Sequence, residues 1–382
     1  MIVYVTTQGS RIVKEGRHLL VKKGNDTFQT LFTHKLKQLV LFGNIEITHF
    51  ALCQLLFHNI DTVYLTQYGR YLGRLALLES KNIFLHKKQF ELLNDNTFCL
   101  KMSKAIVAGK LANMATYLMR IKRSRKETIV GVLAKQIQDL IIKLENADNI
   151  DTVRGYEGKG SSIYFEGLRY AFIDEMGFSK RVRRPPTDPI NSVLSLIYTF
   201  LMNRVYSAVR IANLNPYIGF LHSLDYGRYS LVLDLMEEFR SIIADTLTVS
   251  LFNLKILQQK DFFIEKYIET EQVDNQNYDV TADPIGNINF NCSDSNLFDL
   301  PEQKMDESHV ESKQITGKYP VKLRNDAFKN TIHNFEKKMT TTFYYPLADK
   351  KLSYMDALIY QAGQYRKVIE GDIDVYKPIL LK

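Results

Sequence analysis

Between Pro216 and Arg240 the chain reads PYIGFLHSLDYGRYSLVLDLMEEFR, a lone histidine in a turn followed by Asp234, Glu237 and Glu238 in an apolar stretch of helical spacing. Asp234 and Glu237 are three residues apart, so on a helix their side chains leave one face with Cβ atoms about 5–6 Å apart, within reach of a common cation. Glu238 projects about 100° away from Glu237. The imidazole of His222 beside carboxylates suits Mn, Mg or Zn, and no nearby cysteine offers a thiolate site. The acids also have a plain structural account. Carboxylates opening a helix sit well against its dipole, with Leu235, Phe239, Ile242 and Leu247 as a buried stripe, and for this stretch alone that account is the better one.

A second carboxylate stands in Gly155 to Phe165, GYEGKGSSIYF. Gly158 and Gly160 let the backbone around Glu157 approach another element, and a helix predicted from Ser161 would hold it. Alone, such a glutamate reads as a cap. Basic residues gather in RIKRSRK (Arg120, Arg123, Arg125, Lys126) and KRVRR (Arg181, Arg183, Arg184), read as short flexible connections suited to phosphate contact rather than base reading. Tyr156, Tyr164, Tyr170, Tyr217, Tyr226 and Tyr229 flank the acidic segments; some can stack on an unpaired base, although tyrosines at helical spacing are mostly core. No phosphate-cradling loop, paired Cys-x-x-Cys or nucleophile elbow occurs. Cys53, Cys99 and Cys292 are far apart and lack metal-ligand spacing.

The elements that must position these groups divide at a polar stretch, Glu91 to Thr97. Before it, Ile2 to Thr6, His18 to Lys23, Lys37 to Phe42 and Asp61 to Thr66 read as strands, Thr48 to His58 as a helix capped by Thr48, and Asn82 to Lys88 as a last strand. Beyond it the spacing is helical over Lys101 to Arg120, Glu127 to Leu144, Ser161 to Asp174, Asp188 to Ala212 and Tyr229 to Leu257, then over Val321 to Met339 and Ser353 to Val368. Asp188 with Pro189 is a helix start. The expected fold is α+β: a small N-terminal β-sheet domain, residues 1–92, followed by a larger all-α helical-bundle domain, residues 93–382. Residues 271–317 lose all periodicity and are expected to be a disordered insertion, and Asp372 to Lys382 an extended tail.

Glu269 to Glu311 holds eleven acids against one lysine, so the formal charge of +8 leaves the other 339 residues at +18. A surface of that sign attracts polyanions, nucleic acid first among them. No apolar run reaches the length that crosses a bilayer, and the start MIVYVTTQGS lacks a secretory pattern, so the expected location is the cytoplasm without membrane contact.

GYEGKGSSIYF, RRPPTDPINSVLSLIYTFL, NPYIGFLHS and SLVLDLMEEFR, in this order, together with VYVTTQGS, LVLFGNIEIT, TVYLTQYGRYLGRL and TFYYPLADKKLSYMDALIYQAGQ, resemble CRISPR-associated protein 1, the spacer-acquisition integrase and endonuclease. The likeness covers nearly everything except about Glu271 to Gly317. It implies a Mn2+ or Mg2+ site carried by Glu157, His222 and Glu237, with Asp234 in a supporting role. It also implies insertion of short DNA into a CRISPR array by 3′-hydroxyl transesterification. The implied partners are double-stranded DNA with 3′ single-stranded ends, CRISPR repeat DNA, a second copy paired through the β domain, and CRISPR-associated protein 2. Two other functions fit the same residues, a stand-alone metal-dependent DNA nuclease of repair type and a non-catalytic architectural DNA-binding protein.

Overall fold

Strand β1 (Ile2–Val5) is followed by β2 (Ser10–Glu15), β3 (His18–Lys23), β4 (Asp26–Phe32), β5 (Gln38–Phe42), β6 (Ile45–Ile47), α1 (His49–Phe57), β7 (Asp61–Leu65) and β8 (Tyr71–Arg74). The computed structural model describes residues 1–75, 82–174, 176–183, 185–264 and 319–381; the expected insertion 271–317 and Arg184 lie outside them. One sheet runs β1-β5-β7-β8 and the other β4-β3-β2-β6. In the first sheet β5 pairs in parallel with both neighbours, Val40 standing opposite Tyr4 and Val63. A strand at the centre of such a sheet is covered on both faces, which is why QLVLF is apolar without alternation and buried throughout. Leu39 and Leu41 face the core between the sheets, while Val40 and Phe42 join the core of the helical part.

The helical part continues with α2 (Ile83–Leu92), α3 (Asn96–Arg125), α4 (Thr128–Glu145), α5 (Ile150–Leu168), α6 (Pro189–Ile211), α7 (Ser230–Phe239) and α8 (Thr246–Asn253). Then come β9 (Phe262–Ile264), β10 (Val321–Leu323), α9 (Asn325–Thr340), β11 (Thr342–Tyr345), β12 (Lys350–Ser353) and α10 (Tyr354–Glu370). The α+β class holds, with two small antiparallel sheets, β9 with β10 and β11 with β12, set among the helices. Thr48 and Asp188 cap their helices as expected, Asp188 Oδ1 accepting from the Asn191 amide at 2.8 Å.

Three sequence expectations are corrected. Asn82 to Lys88 is helix, not strand: Asn82 Oδ1 accepts from the Leu85 amide at 3.1 Å, and Leu85 and Gln89, four apart, form the buried face of α2. Glu157 stands inside α5, not ahead of a helix, because Asn149 caps the element much earlier by accepting from the Thr152 amide. Arg120, Arg123 and Arg125 belong to the last turns of α3 rather than to a flexible loop; only Lys126, left-handed at φ 61°, ends it.

Arg204 of α6, fully buried, ties the two parts together: its guanidinium donates to Tyr4 Oη at 2.6 Å, to Gln38 and to Glu336 of α9 at 2.5 Å. The tail after α10 is extended yet docked, with Tyr376 and Ile379 each 2% exposed.

Candidate metal centre

Helix α3 brings Lys110, α5 brings Glu157, the loop before α7 brings His222, and α7 brings Asp234, Glu237 and Glu238. Two glycines allow this convergence. A Cβ on Gly160 would stand 2.2 Å from Leu111 Cδ2, so its absence lets α5 lie against α3 beside Lys110. A Cβ on Gly219 would stand 2.6 Å from Asp234 Oδ2, so only glycine lets the histidine loop cross the start of α7. Gly158, by contrast, faces open space.

Asp234 is completely buried and organises that loop. Its Oδ2 accepts from the amides of Phe220 (2.7 Å) and Leu221 (3.0 Å), and its Oδ1 from the His222 amide (2.9 Å) and His222 Nδ1 (2.7 Å). With the proton on Nδ1 committed to Asp234, the lone pair of Nε2 is left for a cation, the arrangement by which a carboxylate fixes the tautomer of a metal-binding imidazole. His222 Nε2 looks across 3.9 Å at Glu237 Oε1.

Glu237 is also buried, and its other neighbours are cations. Arg240 Nη2 lies 3.1 Å from Oε1 and Lys110 Nζ 2.6 Å from Oε2, the latter at an angle that makes it an ion contact rather than a directed hydrogen bond. Burial alone would raise this carboxyl, but the charges of Arg240, Lys110 and His222 outweigh it and hold the pKa at about 2. Lys110 also meets Glu157 Oε1, which accepts from Ser161 Oγ at 2.9 Å. Glu157 and His222, 28% and 22% exposed at their side chains, form the rim of the site, and Lys110 and Glu237 its floor.

Glu238 faces the opposite way. It accepts from Tyr376 Oη (2.5 Å), the Ile379 amide (2.6 Å) and Gln361 Nε2 (3.0 Å), so it clamps the C-terminal tail. Burial pushes its pKa up to about 7 against those hydrogen bonds. The opening of α7 holds no acid at all, since the helix starts at Ser230. The reading of the acids as a favourable first turn therefore fails; they occupy its second and third turns, with Asp234 and Glu237 on one side and Glu238 on the other. A π-helical turn, Arg240–Asp245, then carries the chain into α8. Widened turns of this kind recur at functional sites. Here it places Arg240 beside Glu237 and buries Asp245, which accepts from Tyr164 Oη (2.7 Å) and Tyr198 Oη (2.6 Å).

Among the described residues no three His, Cys, Asp or Glu side chains lie close enough together to hold an ion as they stand. The ammonium of Lys110 stands between the two glutamates, in contact with both. The donor set nevertheless fits a divalent ion, with two carboxylates, an imidazole nitrogen facing one of them, and a cation already drawn between them. Lys110 and Arg240 escaped the sequence reading. A signal existed for Lys110, since AIVAGKLANMAT has no acid three or four residues to either side of it, so a buried lysine there needs a partner on another element.

The basic residues divide by environment. Arg120, Arg123, Lys126 and Arg183 are exposed. Arg125 donates to the Ala171 carbonyl at 2.7 Å, and Arg181 donates to Asn191 Oδ1 and Ser195 Oγ, each at 2.9 Å, where burial pulls its pKa down to about 10. Both of these are spent inside the fold. Tyr164 is core, whereas Tyr217 and Tyr226 are 44% and 69% exposed.

Residues 3–270 match the family model described as CRISPR associated protein Cas1. The chain belongs to the Cas1 family. The CRISPR-associated endonuclease Cas1 3 of Thermus thermophilus is 28% identical over 383 residues, spanning 100% of this chain and 97% of the relative. Among solved structures, a casposase bound to integration product superposes with a TM-score of 0.75 at 18% identity over 98% of this chain and 92% of its own. A chain of a Cas6-RT-Cas1–Cas2 complex gives 0.76 at 20% identity over 100% of this chain and 36% of that longer chain. At these identities the two structures establish the Cas1 fold alone. The described residues contain no helix long and apolar enough to cross a membrane.

Proposed function

We propose that Glu157, His222 and Glu237 are the metal ligands and catalytic residues of this Cas1-family endonuclease and integrase, with Asp234 holding the histidine. The observation that carries the reading is His222: four hydrogen bonds to one buried carboxylate fix its loop and its ring, and the free Nε2 faces Glu237 across 3.9 Å. A bound Mn2+ or Mg2+ would lower the pKa of an attacking hydroxyl and stabilise the charge that builds on the phosphoryl oxygens. The chain's own residues do the rest. Asp234 keeps the Nδ1 proton in place, Arg240 anchors Glu237, and the partly exposed rim of Glu157 and His222 admits the phosphodiester. With a DNA 3′-hydroxyl as nucleophile, a new phosphodiester forms as the target's own P–O bond breaks and its 3′-oxygen leaves as a hydroxyl; with water as nucleophile the same bond is simply cut.

The substrate on this reading is double-stranded DNA with 3′ single-stranded ends, joined to CRISPR repeat DNA. Arg120, Arg123, Lys126 and Arg183 supply phosphate contacts, and Tyr217 and Tyr226 supply stacking faces for unpaired bases. The similarity to a Cas1–Cas2 complex supports CRISPR-associated protein 2 as partner. Phe50 and Phe57, 69% and 81% exposed on α1, support pairing of two copies through their β domains. A donor duplex carrying either a 3′-hydroxyl or a 3′-deoxy end tests the reading. Joined product is expected from the hydroxyl donor alone; target cutting without joining by either donor would instead identify a repair-type nuclease.

A further inference from the structure

The position between the two proposed ligands is held by the chain's own cation. Lys110 is 3% exposed, 2.6 Å from Glu237 Oε2 and in direct contact with Glu157 Oε1, and it has no acid within its own helix to explain its burial. We propose that Lys110 is a resident counter-ion that a divalent metal must displace, so that metal loading of this site is an exchange of an ammonium for a metal ion. The inference rests on the assignment of Glu157, His222 and Glu237 as ligands.

Three features argue for exchange. A divalent ion held by Glu157 and Glu237 would compete for the space that the ammonium fills between them, and two cations that close repel strongly beside the buried Glu237. Arg240, the other cation on Glu237, is held by its place in the π-turn and by Tyr198, whose ring centre lies 5.1 Å from the guanidinium carbon. Lys110 has instead a flexible four-carbon stem and a point charge, so it is the member able to swing toward the rim between Glu157 and His222. Without metal, Lys110 neutralises the buried carboxylate of Glu237 and the partly exposed one of Glu157, which lie against the same ammonium. With metal, that duty passes to the ion.

The test uses the full chain and its Lys110→Met variant, which keeps the length of the side chain and removes the charge. In chelator the variant should melt below wild type, and Mn2+ should recover most of that loss. By calorimetry the variant should bind Mn2+ at least tenfold more tightly than wild type, since no competitor remains. A Kd equal to or weaker than that of wild type would overturn the exchange while leaving the ligand assignment intact. Mn2+ binding by neither protein would overturn the ligand assignment itself. Wild type gives a second readout that does not depend on folding of the variant: the 15N resonance of Lys110 Nζ should move to that of a free, rapidly exchanging ammonium on Mg2+ saturation. An ammonium that stays ion-paired and protected at saturating Mg2+ would contradict the proposal.

Discussion

Asp234 shows how much one buried carboxylate can organise. Three backbone amides and one imidazole nitrogen converge on its two oxygens, while the carbonyls of the same loop accept from Ser103, Arg154 and Ser230. Asp234→Asn would place an amide NH2 against donors on at least one side. The expected cost is about 1–3 kcal/mol of unfolding free energy, because buried donors are left unmatched. Metal affinity should fall by about ten- to a hundredfold, as for other groups that orient a liganding imidazole. Urea denaturation and Mn2+ calorimetry read the two effects, and an unchanged metal affinity would show that His222 does not depend on Asp234. The type and spacing of these acids were legible in the sequence, and so was the division between Asp234 with Glu237 and Glu238, which follows from helical geometry alone. Lys110 was not read, because its partners lie 47 and 127 positions away in the chain.

At the scale of the element, α7 separates two tasks by phase. One face presents Glu237 to the site; the other presents Glu238 to Tyr376 and Ile379 of the tail and to Gln361 of α10. The pKa of Glu238 in the fold, about 7, lies above its ordinary 4.5. Between those values the folded chain keeps a proton that the unfolded chain releases. The stability tied to this proton is therefore fully present below pH 4.5 and is lost as pH rises to 7, a change of about 3 kcal/mol. Glu238→Gln cannot titrate, so its stability deficit relative to wild type should shrink across that window in chemical denaturation at stepped pH. A deficit independent of pH would mean that burial does not hold Glu238 protonated. Helix existence was readable from apolar spacing, but the true start of α5 was hidden by glycines, and the π-turn leaves no periodic signature that a sequence shows. The helix α2 was misread because Ile83, Phe84 and Leu85 form a short apolar run like that of a strand, although Leu85 and Gln89 share a helical face.

Across the whole molecule, the core of the helical part reaches Val40, Phe42 and Val63 of the first sheet, a second core lies between the two sheets, and Arg204 locks the β part to the helical part. On the proposed function, the charge outside Glu269 to Glu311, +18, should make phosphate attraction the main source of DNA affinity. Replacing exposed Arg120 and Arg123 by Ala should weaken binding to unrelated duplexes alike and flatten the salt dependence by roughly one phosphate contact each. Arg181→Ala should instead lower Tm, since that guanidinium is held by Asn191 and Ser195; titrations at several salt concentrations beside melting curves distinguish the two classes. The central claim is that this fold joins DNA through Glu157, His222 and Glu237, with Glu238 outside the chemistry. It is tested most directly by single-turnover strand transfer of a 3′-hydroxyl donor in Mn2+, comparing Glu237→Gln with Glu238→Gln in protein shown to be folded and to bind duplex. The account requires that Glu237→Gln lose joining by at least a hundredfold and that Glu238→Gln stay within a few-fold of wild type. Normal joining by Glu237→Gln, with Glu238→Gln folded and inactive, would contradict it.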